Sequence, residues 1–397
     1  MDAHSRAREL AQRLVASGQE VGVQIAAYLH GELVVDVSEG KADVTTGRPV
    51  DERTLFPCGA GSVSTVVHVL AERGLLDYGD PVAAYWPEFG AHGKHDVTLA
   101  HVLTHSAGVP QAPPGITLDD FADWDGMCAR IADLRPLWRA GTATGHHLLT
   151  FGFILGEVVR RVTGRPVSAV LRDEVAAPLG VPDDLCFDVP ADDLARTARL
   201  EDGDRSDPLG HYPDGSLYHE VHPPWMQVGA ALGNRREWRT TARPSSGWGT
   251  AHALARMCAA LIGEVDGVRL IGPVRTGRLS MVLPREDRVL GGPARMGLGY
   301  IVGTVDMGSV SAFGWWPSGG GLAFADPGRG FSFAYLPNLL TSGVLGAAYQ
   351  AADEVRLALG LETAVLQAVR RRKAERAVRR IRARVIKRRE AEAKRRR

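Results

Sequence analysis

Three rhythms of apolar and polar positions divide the first third of the chain. Residues 1–20, MDAHSRARELAQRLVASGQE, are polar and built from helix-forming types. Residues 21–38, VGVQIAAYLHGELVVDVS, alternate loosely, are rich in β-branched side chains and carry His30-Gly31 at their midpoint. That pattern predicts a β-hairpin around a two-residue turn. Residues 62–73, SVSTVVHVLAER, are mostly apolar and stop at Gly74, which predicts a buried helix closed by a glycine.

Farther along, the period is helical. Apolar residues at 97, 99, 102 and 103 predict a helix that starts near Asp96. LLTFGFILGEVVRRV (148–162) predicts another, ended by Gly164, and TAHALARMCAALIGEV (250–265) a third. Residues 200–225 are rich in Asp, Gly, Pro and His and read as a long loop or lid. From Gly297 to Leu340, β-type runs return in FGWW, GLAFAD and FSFAYL among many glycines. No internal repeat is present. A strand pair, a helical middle and a strand-rich end describe an α+β protein. The expectation is an antiparallel sheet built from both chain ends and flanked by helices, with a mainly helical region beside it.

Composition changes this picture little, and charge changes it more. The chain has 397 residues, 45% hydrophobic and 23% charged, an ordinary globular balance that excludes wholesale disorder. No run of 18 apolar residues and no apolar leader segment occurs. The four cysteines, Cys58, Cys128, Cys186 and Cys258, are widely spaced. Free thiols in a reduced, cytoplasmic protein are therefore expected. The net charge of +1 hides an asymmetry. Residues 370–397 carry 16 Lys/Arg and 3 Glu, against 31 and 43 in the rest of the chain. The chain thus divides into an acidic body, 1–365, and a basic tail, 366–397. Ala374, Val378, Ile381 and Val385 mark a narrow apolar stripe on a helical tail. Such a tail either binds an anionic surface or nucleic acid, or extends into solvent without a partner.

The chemistry comes into view through five segments. LLDYGDPVAAYWPEF (75–89) and VTLAHVLTHSAGVP (97–110) are followed by GHHLLTFGFILGEVVRRVTGRPVSAVLRDEVAAPLGV (145–181). GWGTAHALARMCAAL (247–261) and FGWWPSGGGLAFADP (313–327) complete the series. In this order they closely resemble the serine β-lactamase-related family, in the branch of class C β-lactamases and esterases with a penicillin-binding-protein-like fold. The resemblance covers roughly residues 10–360. It implies acyl transfer through a serine ester. A Ser-x-x-Lys motif opens a helix and supplies nucleophile and base. A tyrosine motif shuttles a proton. A Lys-Thr-Gly or His-x-Gly strand lines the cleft. A serine hydroxyl needs a base beside it, and the developing oxyanion needs fixed N–H donors.

The chain departs from all three motifs. Gly61-Ser62-Val63-Ser64-Thr65 is the best match to the first, with Thr65 in place of lysine, and no lysine occurs between Lys41 and Lys94. If HVLAERG sets the register instead, the serine and lysine positions fall on Pro57 and Ala60. His146 stands in for the tyrosine, and Trp315-Trp316-Pro317 for His-x-Gly, while Gly319 to Gly321 are kept. Proline there also removes a backbone donor.

Two function classes follow. In the first, the protein is an enzyme with impaired or repurposed chemistry. Ser62 is the nucleophile and His146 its base, while Trp315, Trp316, Ser318 and Gly319 line the site of a small-molecule ester, amide or aromatic ligand. In the second, it is a non-catalytic member that binds a small molecule or protein in the old cleft. Ser62 is then a helix N-cap and Cys58 a plain buried thiol. His105 is then a packing residue, and His211, His219 and His222 are loop histidines whose spacing fits no zinc pattern. Trp225 and Trp248 either join an aromatic pocket or fill core. Neither reading calls for a cofactor or a metal.

Overall fold

The hairpin near the start of the chain forms one side of the central sheet. Strand β1 (Gly22–Leu29) turns into β2 (Glu32–Gly40) through His30 at φ 51° and Gly31 at φ 85°. Both turn residues are left-handed, the geometry whose twist matches that of the flanking strands. The other strands come from the far end: β3 (Ile301–Val302), β4 (Phe313–Trp315), β5 (Leu322–Asp326) and β6 (Phe331–Pro337). The order is β2-β1-β6-β5-β4-β3, antiparallel throughout, with Ala26 of β1 between Ala334 and Asp36. The two chain ends therefore meet in one sheet, as the order of elements predicts. This computed structural model describes residues 2–363 except 205–211, 214, 227–228, 283–284, 318 and 342–345. Ser318, His211 and the basic tail lie outside the described residues.

Helices cover both faces of the sheet. Five of them position everything that follows: α1 (Ala3–Ala16), α2 (Gly61–Glu72), α3 (Thr150–Thr163), α4 (Ala251–Ile262) and α5 (Ala347–Ala358). Val23, Ile25 and Ala27 of β1 pack with α1 and α5, while Ala26 and Tyr28 face the core that contains α4. Burial on both faces explains the loose alternation of β1, since neither side of the strand needs polar residues. The polar N-terminal stretch is an amphipathic helix. Asp2 caps it by accepting the Ser5 N–H at 2.8 Å, and Ala7, Leu10, Ala11 and Leu14 are its buried stripe.

The helical region lies beyond α4 and holds the larger core. Helix α2 ends as expected at Gly74, φ 72°, and α3 at Gly164, φ 69°. Thr250 caps α4 through the Ala253 N–H at 3.1 Å. Two boundaries differ from expectation. The helix expected from Asp96 is only Leu99–Leu103. Thr98 starts it by a reciprocal cap, accepting the His101 N–H at 3.3 Å while His101 Nδ1 takes the Thr98 N–H at 3.1 Å. Ser62 is not an N-cap. Ala60 occupies that position without a side-chain bond, and Ser62 lies inside the first turn of α2. The lid-like stretch contains a short helix, Leu217–Val221. Among the described residues, no helix is long and apolar enough to cross a membrane. All four cysteines are unpaired.

Candidate functional site

The start of α2 is held by a short ribbon in which Trp248–Gly249 pairs with both Phe56–Pro57 and Leu185–Cys186. Cys58 then donates its N–H to the Gly247 carbonyl at 2.7 Å, and the chain turns into the helix through Gly59, at φ 74°. Ser62 is 0% exposed, and its hydroxyl lies beside the Cys58 thiol without a partner in good hydrogen-bond geometry. Thr65, one turn later, is equally buried. Its hydroxyl is shared between the Gly61 carbonyl at 3.1 Å and the Tyr300 hydroxyl at 2.7 Å. Burial pushes the Cys58 thiol well above its usual range, so it stays a neutral thiol.

Trp315 closes this corner. It ends β4, is buried, and donates its indole N–H to the Cys58 carbonyl at 2.6 Å. Its ring lies flat against the start of α2. A Cβ on Gly61 would overlap Cδ2, Cε3 and Cε2 of the indole, and one on Gly59 would come within 3.1 Å of Cδ1. Glycine is required there by the ring, and the ring fits only because of the glycines. Trp315 therefore sits on the helix start itself. Trp316 points elsewhere. It is half exposed, and its N–H meets the Asp306 carboxylate. Gly319 adopts φ 85° in the turn that follows.

His146 belongs to a different group. It lies in the segment that leads into α3, and its N–H is donated to Asp287 Oδ1 at 3.2 Å. Its ring stacks between His105 at 5.2 Å and His222 at 5.8 Å. The stack continues in both directions. His105 lies on Phe151 at 4.6 Å, His222 on Tyr218 at 4.2 Å, and Tyr218 on Tyr212 at 3.7 Å. Six rings thus form one column from α3 out to the lid-like stretch. No hydrogen bond or ring contact joins His146 to Ser62 or to Trp315. Trp315 of the third motif position meets the start of α2, while the ring partners of His146 are His105 and His222.

The histidines of this group are held neutral. The Val109 N–H is donated to His147 Nε2 at 3.3 Å, so Nδ1 carries the proton and donates it to the Gly145 carbonyl at 2.6 Å. His105 Nδ1 in turn accepts the His147 N–H at 3.0 Å. Burial pulls His147 down to about 3 and His222 to about 4, and pulls His105 well below the usual range. His146 is lowered too, by burial, with the Asp287 carboxylate acting in the opposite direction. Its Nδ1 is buried and unpartnered. His105 also holds φ 53°, uncommon for a residue other than glycine. It packs between Phe151 and His146 and accepts the His147 N–H. Among the described residues no His/Cys/Asp/Glu group has the geometry of a metal site.

The sequence pattern carries little sign of the column. Tyr218 and His222 stand four residues apart, a spacing that puts both on one helix face, and this was the one available signal. Asp287 has none, since it comes from a distant loop. Trp225, partly exposed, meets Phe121 edge-on at 6.0 Å, and Trp248 is core. Trp225 also borders a cavity of about 670 Å³ with Glu220, Ile116 and Leu137.

Known proteins share this fold. The beta-lactamase family profile matches residues 7–356. An esterase/beta-lactamase, LipL of Mycobacterium tuberculosis, is 35% identical over 347 residues, covering 81% of this chain and 78% of LipL. The crystal structure of a family VIII carboxylesterase superposes with TM-score 0.81 at 31% identity, covering 89% of this chain and 98% of its own. A penicillin-binding protein homologue from Caulobacter crescentus gives TM-score 0.80 at 31% identity, covering 90% and 98%.

Proposed function

The chain belongs to the beta-lactamase family, and from that premise we propose that it is a non-catalytic member. In this reading it keeps the serine-hydrolase fold and uses the remaining cleft, beside the ring column and the lid helix, to bind a small ester, amide or aromatic molecule. One observation carries the proposal: the Trp315 indole is seated on Gly61 while Ser62 beneath is fully buried. Acyl transfer needs a nucleophile that substrate can reach and a base within hydrogen-bond distance. Ser62 has neither. Lysine is absent from the first motif and tyrosine from the second, and Pro317 supplies no N–H to an oxyanion.

A second reading keeps residual acyl transfer by Ser62 and His146. The buried, unpartnered Nδ1 of His146 favours it, because no protein group competes for that ring nitrogen. The experiment that separates the two is labelling with a fluorophosphonate, alongside turnover of an aryl ester and of a cephalosporin indicator. Non-catalytic binding predicts no adduct and no turnover above the uncatalysed rate. An adduct on Ser62 that disappears in Ser62→Ala, with turnover lost in His146→Ala, overturns it.

A further inference from the structure

Away from the old cleft, on the far side of the Trp248 ribbon, the loop after β2 meets residues 194–199 and the helix Arg236–Thr240. Together they bound a cavity of about 600 Å³. Three guanidinium groups line it: Arg48, Arg199 and Arg239. Two of them converge on one residue. Arg48 donates to the Thr197 carbonyl at 2.7 Å and Arg239 to the Thr197 hydroxyl at 2.5 Å. Every other acceptor of Arg239 is also neutral: the Gly233 carbonyl at 3.1 Å, the Asn234 side chain at 2.5 Å and the Ala198 carbonyl at 3.4 Å. Among the described residues no carboxylate lies within ion-pair distance of Arg48 or Arg239, and Asp43 acts on Arg239 only from farther off.

The counter-charge is sparse. Asp43 is the one carboxylate on the cavity wall, and its Oδ1 is occupied by the Thr45 N–H and hydroxyl at 2.7 and 2.6 Å. Glu201 pairs with Arg199, Oε1 lying 3.2 Å from the buried Nε, although neither atom makes a well-directed hydrogen bond. Arg239 is partly desolvated as well, lying 5.4 Å over the Trp248 ring. Folding has thus brought three like charges together around a void, with Arg48 and Arg239 oriented by neutral acceptors and Arg199 alone paired with a carboxylate. That arrangement is costly by itself and becomes favourable when an anion enters. Planar guanidinium forks match tetrahedral oxyanions, and three of them exceed what a single carboxylate can use. The cavity is large enough for more than the anion, and Leu194 and Ala195 give it an apolar side.

We propose that this cavity is a binding site for the phosphate group of a small organic phosphate, with Arg48, Arg199 and Arg239 as its ligands. The site does not depend on whether the old cleft is catalytic. Isothermal titration in phosphate-free buffer tests it, using inorganic phosphate, pyrophosphate and citrate at matched ionic strength. The expected result is saturable binding of phosphate and tighter binding of pyrophosphate. Arg48→Gln and Arg199→Gln should each weaken pyrophosphate binding at least 10-fold without changing the far-UV circular dichroism. Asp43→Asn keeps the turn acceptor and removes the opposing charge, so it should tighten binding several-fold. Absence of saturable heat, equal affinity in wild type and both arginine variants, or citrate binding more tightly than pyrophosphate would overturn the proposal.

Discussion

The seating of Trp315 on Gly61 can be tested by adding one methyl group. Gly61 is the first residue of α2, and its φ is not in the left-handed region. On backbone grounds alone, Gly61→Ala should stabilise the helix by about 0.5–1 kcal/mol. The tertiary structure reverses that expectation. The new Cβ would overlap three ring carbons of Trp315, and the ring is pinned by its bond to the Cys58 carbonyl and packed against Tyr300 at 6.0 Å. Overpacking of this kind costs roughly 1–3 kcal/mol, so Gly61→Ala should be net destabilising in the wild type. Trp315→Ala should itself cost about 3–5 kcal/mol, as for other buried aromatic truncations. In that background the methyl has room, and Gly61→Ala should restore stability by about 0.5–1 kcal/mol. The double-mutant cycle then closes with a coupling of about 1–3 kcal/mol. Urea unfolding followed by far-UV circular dichroism measures all four proteins without relying on the tryptophan that is removed. If Gly61→Ala has the same effect in both backgrounds, the indole does not sit on the helix start, and the argument for a closed pocket fails.

The remaining predictions concern buried charge. His68, His147 and His222 have folded values near 3, 3 and 4, below the unfolded value of 6.5. Their neutral forms support the fold above pH 6.5, and stability should fall as pH drops from 6.5 towards 4, by up to roughly 1.4 kcal/mol per pH unit for each group. A urea midpoint that stays flat between pH 7 and pH 4.5 would contradict this. Glu20 behaves in the opposite sense. Its carboxyl accepts the Tyr335 hydroxyl at 2.6 Å, has a second oxygen without a partner, and is raised by burial to about 7. Its contribution is complete below pH 4.5 and is lost as pH rises through 7, so Glu20→Gln should flatten the alkaline fall in melting temperature. Glu157 is fully buried and bonds the Trp124 N–H at 2.8 Å, Arg160 at 2.7 Å and Arg161 at 2.7 Å. Glu157→Ala should cost about 3 kcal/mol in urea unfolding, and a loss below 1 kcal/mol would show that the cluster is structurally idle.

Much of this protein could be read from local pattern. The hairpin around His30-Gly31, the apolar runs ended by Gly74 and Gly164, and the return of β-type residues after Gly297 each report a local preference of the backbone. Local preferences survive without tertiary contacts. The order of those elements was enough to bring the two chain ends into one sheet, and the five family segments named the family. The residues that best match the family's motif positions, Thr65, His146 and Trp315-Trp316-Pro317, were equally visible, because that is a matter of residue identity. Where those residues go was decided only in three dimensions. Ser62 suits an N-cap by composition, yet the ribbon at Phe56–Pro57 and the entry through Gly59 start the helix two residues earlier and bury the hydroxyl. Trp315 and Gly61 are 254 positions apart, and no periodicity links them; their fit is a matter of volume at one point in space. The ring column and the three-arginine cavity have the same origin. Each is made from distant loops whose meeting depends on how the sheet, the ribbon and the helical region pack. A side chain's type is written in the chain, but its neighbours, its solvation and therefore its chemistry are set by packing.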